Sequence, residues 1–303
     1  MEEVLRFYYA TPHSPIGHAG DFYTSADLDP IFGQLLAKQF LNWAGTFESF
    51  TIVELGAGHG ALARDILQCH SFKYMILERS PAMRRRQQEL LQGYDVTWID
   101  ELPAGITGCI FSNEFFDALP VHRVVCRGGV LKEIYVAEDF EEIESDVDPG
   151  VRAVCKQDLQ EGQVVEINLE AMRWIHQIAG ALDRGYHVAI DYGYLRDEFY
   201  AQMRGTLMCY WRHQAVENPY IRIGEQDITA HVNFSDLMDE RSLKTIAFTT
   251  QKDYLIQLGI LDEMEKLAIS GDAASMQRLL KIKNLILPGS MGERFKVLVQ
   301  TKG

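Results

Sequence analysis

Several common chemistries have no place in these 303 residues. Only five cysteines occur, Cys69, Cys109, Cys126, Cys155 and Cys209, scattered and with no C-x-x-C pair. They read as reduced thiols, so neither a disulfide scaffold nor a cysteine-rich metal site is expected. The nine histidines make no H-x-x-x-H or H-E-x-x-H spacing, and no metal is expected. A G-x-S-x-G nucleophile elbow is missing. No apolar run approaches membrane-spanning length, and no internal repeat or low-complexity tract interrupts the chain. Positive charge is scarce: 29 Lys and Arg stand against 43 Asp and Glu, a formal net charge of -14. Such a chain repels phosphate backbones, so no nucleic-acid partner and no membrane partner are expected, whereas a basic substrate would be attracted. Met1-Glu2-Glu3 is acidic where a presequence would be basic, and a cytoplasmic location follows as the expectation.

What is present is centred on Thr51 to Gly60. The apolar pair Ile52-Val53 runs into Glu54-Leu55-Gly56-Ala57-Gly58-His59-Gly60, and the helical pattern Ala61 to Leu67 follows. This is strand, glycine turn, helix. Alternate glycines remove each Cβ where the backbone must turn and approach a ligand. Ala61 completes G-x-G-x-x-A, so a nicotinamide dinucleotide stays open as a ligand. Glu54 argues the other way, because a pyrophosphate seeks amides with no carboxylate nearby. The ammonium and sulfonium of S-adenosylmethionine are favoured by an acid there.

Three more strand runs end in polar residues. Lys73 to Leu77 ends at Glu78, spaced to take ribose hydroxyls, and Tyr94 to Ile99 ends at Asp100, placed for the adenine edge. Gly108 to Ser112 ends at Asn113-Glu114-Phe115-Phe116-Asp117. Ligands of open α/β sheets gather at this carboxyl edge. Each acid taken singly is equally a solvated helix cap; their serial placement favours a site. Arg79, Arg84, Arg85 and Arg86 read as the solvated face of the helix after Glu78.

Around this frame, one domain is expected over 1–303. A Pro, Gly and His-rich loop and a helix beginning near Asp27, capped by Asp27 or Ser25, occupy 1–50. Two strand runs flanking Arg127-Gly128-Gly129 form a hairpin inserted on the sheet, 121–148, whose acidic end is a solvated loop or edge. Leu169 to Leu182 is an amphipathic helix with Gly185 just past its end, and Tyr186 to Asp191 is the fifth core strand. Residues 193–234 show little periodicity, carry Tyr210, Trp211, His213 and His231, and read as a lid or substrate wall. A sixth strand at Leu243 to Phe248, two or three helices and a last strand from Phe295 close the chain.

The chain resembles the MidA-like methyltransferase family, whose eukaryotic members are mitochondrial complex I assembly factors. The resemblance rests on Gly20-Asp21-Phe22-Tyr23-Thr24-Ser25, Phe32-Gly33-Gln34-Leu35, the glycine turn, Asn113 to Val121, Asp191-Tyr192-Gly193, Gly205-Thr206-Leu207, Asp227 to Phe234 and Met291 to Leu298. It covers nearly the whole chain. The departures are Ala57, where a proline is common, and a shorter stretch before Gly20. The resemblance implies an α/β, Rossmann-like, seven-stranded class I methyltransferase sheet with the last strand antiparallel. It also implies S-adenosylmethionine as donor, S-adenosylhomocysteine as product and, for eukaryotic relatives, protein arginine as acceptor.

The expected cofactor residues are Glu54, Gly56, Ala57, Gly58, Gly60, Glu78, Arg79, Asp100, Glu101, Asn113, Gly20 and Thr24, with His59 a neighbour of the cofactor. For catalysis, Glu114 and Asp117 are expected to hold an acceptor guanidinium, helped by the Asn113 carbonyl oxygen. Asp227 and His231 would orient or deprotonate the acceptor, or else pin the long segment to the sheet. The expected partner is a basic, arginine-containing protein or a small molecule, with a homodimer open. The competing readings are a small-molecule methyltransferase, a dehydrogenase, and an assembly protein that keeps the fold without turnover.

Overall fold

The computed structural model describes residues 1, 25–155, 158–211 and 214–303. Seven strands form its central sheet: β1 (Thr51–Leu55), β2 (Lys73–Leu77), β3 (Val96–Ile99), β4 (Ile106–Asn113), β5 (Leu182–Tyr194), β6 (Lys244–Thr250) and β7 (Phe295–Lys302). Their spatial order is β6-β7-β5-β4-β1-β2-β3, with the two-residue strand Val232–Asn233 added alongside the end of β5. Strands β1 to β5 are mutually parallel, and β7 runs antiparallel to both its neighbours. This is the expected class I methyltransferase sheet with its reversed last strand. The strand order turns back between β1 and β4, and the carboxyl ends of these strands open a crevice there.

Both faces of the sheet are covered, which is why its strands read as nearly continuous apolar runs. Ile52 of β1 packs with Phe32, Leu36 and Phe40 of helix Ile31–Ala44, while Val53 and Leu55 pack with Ile175 and Ile178 of helix Leu169–Ala181. The alternation places Glu54 on the same face as Ile52, toward Tyr74 of β2.

Two expected boundaries differ. Helix Ile31–Ala44 starts after Pro30, not at Ser25 or Asp27, because Ser25–Leu28 forms a separate turn of helix. Gly185 does not end a helix: the chain passes from Ala181 straight into β5, and Gly185 lies inside that strand. Its reason for being glycine is contact across the sheet. A Cβ on Gly185 would lie 2.0 Å from the carbonyl oxygen of Gly108, and one on Gly108 would lie 1.9 Å from that of Thr51. The two glycines thus let β1, β4 and β5 approach at one level, near the amino end of β1 and at the far edge of the sheet from the crevice.

The hairpin is not carried on the central sheet. Strands His122–Arg127 and Val130–Val136 join Glu142–Asp146 and Val164–Ile167 in a separate four-stranded antiparallel sheet. That sheet has its own apolar cluster of Val124, Val151, Val165, Ile167, Phe199 and Tyr200, which frees it from the central core. The acidic stretch supplies its edge strand, with Glu144 and Asp146 paired to Arg127 and Lys132 across the sheet. Within 193–234, strands Met208–Trp211, Gln214–Val216 and Asp227–Thr229 make a third small sheet. His213 and residues 2–24 lie outside the described residues.

Candidate active site

The crevice at the ends of β1, β2 and β4 is a cleft of about 270 Å³. Its floor is the glycine turn, where Gly56, Gly58 and Gly60 all have positive φ, of 67°, 54° and 92°. A Cβ at Gly56 would come within 2.9 Å of the Phe115 ring, so the turn and the loop after β4 meet edge to edge. Glu54, Gly56, Ala57, Gly58, His59, Glu78, Arg79, Asn113 and Glu114 all line this cleft. Gly60 does not, standing beneath it against Gln87 at the start of helix Ala61–Cys69.

Glu54 is 2% exposed and accepts a 2.7 Å hydrogen bond from the Tyr74 hydroxyl. Burial pushes its carboxyl up to about 8, overriding the Tyr74 hydrogen bond, and the nearby Glu78 carboxylate adds to the rise. Burial also raises Glu78, whose two oxygens accept from the Ser80 amide at 2.8 Å and from Gln87 Nε2 at 3.1 Å.

The helix after Glu78, Pro81–Leu90, is more than a solvated basic face. Gln87 is wholly buried on its inner side. Its Nε2 donates to the Gly58 carbonyl at 2.7 Å as well as to Glu78, and its Oε1 accepts from Trp98 Nε1 at 2.9 Å. One amide side chain therefore ties the glycine turn, the end of β2 and β3 together. Arg84 also turns inward, donating to the carbonyls of Glu78 and Ile99 and pairing with Asp100. Asp100, expected at an adenine edge, is instead 81% exposed in that ion pair, and neither it nor Glu101 lines the cleft. Gly20 and Thr24 lie outside the described residues.

At the other end, Glu114 has a φ of 53°, unusual for a side-chain-bearing residue. Its Oε1 accepts from Asn113 Nδ2 at 3.0 Å and from the Ser25 amide at 3.4 Å. Asn113 Oδ1 is buried at the cleft with no hydrogen-bond partner among the described residues. An orphaned buried acceptor in a ligand-sized cleft is a fit for a donor group from outside the protein. Phe115, Trp174 and Arg79 form the wall, the two rings meeting edge to face at 5.2 Å and the guanidinium lying 5.6 Å from the Trp174 centroid. Composition and spacing carried no signal for Trp174 or Gln87, which reach the site from the middle of helices.

Asp117 does not stand in the cleft as expected. It is 3% exposed and turned into the protein against Asp191, because the backbone after Glu114 folds inward. Asp227 is buried and His231 half-buried, and neither lines the cleft. The Ala230 amide donates to the Asp117 carbonyl at 3.0 Å and the His231 amide to Thr206 Oγ at 3.1 Å. Thr206 in turn donates to the buried Glu166 through both its amide and its hydroxyl. Burial, with Arg294 nearby, lowers the His231 imidazole to about 4, so the ring is neutral near pH 7. Among the described residues no group of acids, cysteines and histidines is arranged to hold a metal ion, and no helix is long and apolar enough to cross a membrane.

Residues 35–248 match a family model described as "Putative S-adenosyl-L-methionine-dependent methyltransferase". Among curated relatives, the mitochondrial protein arginine methyltransferase NDUFAF7 of Danio rerio is 27% identical over 95% of this chain and 78% of its own length. The Rattus norvegicus protein of that name is 28% identical over 97% and 78%. A Burkholderia thailandensis protein crystallised with S-adenosyl-homocysteine superposes with a TM-score of 0.89 at 28% identity, covering 99% of this chain and 85% of that one. The expected cytoplasmic location is overturned by the two NDUFAF7 relatives, whose names place them in mitochondria.

Proposed function

The chain belongs to the S-adenosyl-L-methionine-dependent methyltransferase family whose model it matches, and from that premise we propose that it methylates a nitrogen of arginine side chains in proteins. The donor is S-adenosylmethionine, which supplies an electrophilic methyl group on a sulfonium. The family sets aside the dehydrogenase reading of the glycine turn. In this reading Glu54 and the unpartnered Asn113 Oδ1 hold the amino acid end of the donor, the Gly56 to Gly58 backbone lies beneath it, and Glu78 takes the ribose hydroxyls. Arg79 and Trp174 close the outer wall.

The observation that carries the acceptor assignment is Glu114, a carboxylate presented to the cleft beside Asn113 by a loop with a left-handed turn. A carboxylate there holds a guanidinium by charge-assisted hydrogen bonds and localises a lone pair on the nitrogen to be methylated. The reaction breaks the sulfur–methyl bond and forms a nitrogen–methyl bond, and the nitrogen afterwards loses one proton to solvent. The protein's task is positioning. The relatives named as protein arginine methyltransferases support the same acceptor, and the net charge of -14 suits a basic protein partner.

The test supplies methyl-labelled S-adenosylmethionine and an extract of cells lacking this protein, then hydrolyses the products. Methylarginine in the protein fraction is the expected result. Label in the small-molecule fraction alone would assign a metabolite acceptor. Binding of S-adenosylhomocysteine with no labelled product in either fraction would leave an assembly role without turnover.

A proton accompanies the donor. With Glu54 held up to about 8, the ligand-free protein carries this proton near pH 7, and a cation seated beside it favours the carboxylate. Binding of S-adenosylmethionine is therefore expected to release close to one proton. Affinity should weaken by up to about tenfold per pH unit as pH falls below about 8. Calorimetry in two buffers of different ionisation heat measures the release, which Glu54→Gln should abolish. Equal heats in both buffers for the wild type would show that Glu54 does not give up a proton when the donor binds.

A further inference from the structure

Behind the acceptor loop lies a carboxylate that neither the glycine turn nor the cleft accounts for. Asp191, near the carboxyl end of β5, is wholly buried. Its Oδ2 accepts from three consecutive backbone amides, Phe115 at 3.2 Å, Phe116 at 2.9 Å and Asp117 at 3.4 Å, and its Oδ1 accepts from its neighbour Tyr192 at 3.0 Å. Three successive amides turned onto one oxygen form an anion-binding nest, here filled by the protein's own carboxylate. The left-handed turn at Glu114, with its amide bonded to the Ile190 carbonyl at 2.9 Å, directs the next three amides inward.

Asp117 sits against this carboxylate, with Glu114 and Asp227 also acting on it. Two buried carboxyls in contact do not both ionise. Burial raises Asp191 as well, to about 7, but the amides gathered on it pull the other way, so of the two Asp191 is the carboxyl that ionises and Asp117 the one that keeps its proton. Burial and the neighbouring carboxylates hold the Asp117 proton in place.

We infer that Asp191 is the positioning residue of the acceptor site: its side chain, bonded to the three amides that follow Glu114, fixes the loop that presents Asn113 and Glu114 to the reacting groups. The inference rests on the acceptor reading of Glu114 above. The required strain is local and visible. A left-handed glutamate is unfavourable by itself, and the bonds to Asp191 hold it there.

The test compares wild type, Asp191→Asn and Asp117→Asn in the 303-residue chain, with S-adenosylhomocysteine bound for the exchange measurement only. Amide hydrogen exchange is read at residues 115–117, S-adenosylhomocysteine affinity by calorimetry, and methylarginine yield as above. In Asp191→Asn, protection of the three amides and methyl transfer should each fall by at least about tenfold, as expected for losing charge-assisted bonds. Protection along β4 and β5 and ligand affinity should stay within about threefold. Asparagine is the closer mimic of a neutral acid, so Asp117→Asn should perturb the three amides far less than Asp191→Asn. Equal losses in the two variants, unchanged protection in Asp191→Asn, or losses spread over β4 and β5 would overturn the inference. Should Asp191→Asn fail to fold, Asp191→Glu keeps the charge and displaces the loop; wild-type exchange and transfer in that variant would overturn it equally. Absence of methylarginine from the wild type would fault the acceptor assignment, while the exchange data still judge Asp191.

Discussion

Glu114→Gln is expected to lower methyl transfer by about a hundredfold or more while leaving S-adenosylhomocysteine affinity within about threefold. The carboxylate is proposed to act on the acceptor, whose charge it holds, and not on the ligand's adenosine. Glutamine keeps the length and one oxygen acceptor for Asn113 Nδ2 and the Ser25 amide, so the loop keeps its internal bonds. What disappears is the negative charge that orders a guanidinium and concentrates electron density on one nitrogen. Measuring labelled methylarginine together with ligand affinity separates this from a general collapse of the cleft. Transfer within a few fold of wild type would remove Glu114 from the acceptor site.

Gln87→Leu should be the most damaging single change on the cofactor side. Leucine fills most of the space, so the main consequence is chemical. The Gly58 carbonyl, the Glu78 carboxylate and the Trp98 N–H, all half-buried, lose partners on the wholly buried Gln87 side chain now at 2.7, 3.1 and 2.9 Å. An unsatisfied buried polar group is unfavourable by roughly 1–3 kcal/mol, so a total of about 3 kcal/mol or more is expected in urea unfolding. Affinity for S-adenosylhomocysteine should drop about tenfold or more, because both the turn and Glu78 lose their brace. Arg85→Ala, on the exposed side of the same helix, is the control and should change stability by less than about 0.5 kcal/mol. If the two variants behaved alike, Gln87 would be packing and nothing more.

The two predictions concern residues that local pattern reads unequally, Glu114 well and Gln87 poorly. Strand ends at Glu54, Glu78 and Asn113 are legible because apolar runs of about five residues followed by a polar one mark where a buried strand reaches the sheet edge. Glu114 shares that legibility. Gln87 was hidden in a basic helix, since a 3.6-residue period with Arg84, Arg85 and Arg86 looks solvated until the fold turns one side toward the glycine turn. Asp100 misled in the opposite sense. Its position at a strand end is the same as that of Glu78, yet Arg84 draws its carboxylate out into solvent. Gly185 was misread because a glycine soon after a helical pattern resembles a helix stop, whereas its actual constraint comes from Gly108 on the neighbouring strand.

The sequence by itself determined the strand, glycine turn and helix, the alternating order of strands and helices, and the acidic ends of the strands that form the cleft. These depend on residue spacing and on the steric freedom of glycine, which act over a few residues. Only the tertiary structure decided that Asp117 leaves the cleft for Asp191, that Gln87 braces the glycine turn, and that Trp174 and Arg79 close the wall. The contacts behind those decisions join residues 75 apart, as for Phe116 and Asp191, or 29 apart, as for Gly58 and Gln87. The physical reason is that hydrogen bonds between buried polar groups are specified by which strands and helices meet, and no short stretch of sequence contains both partners.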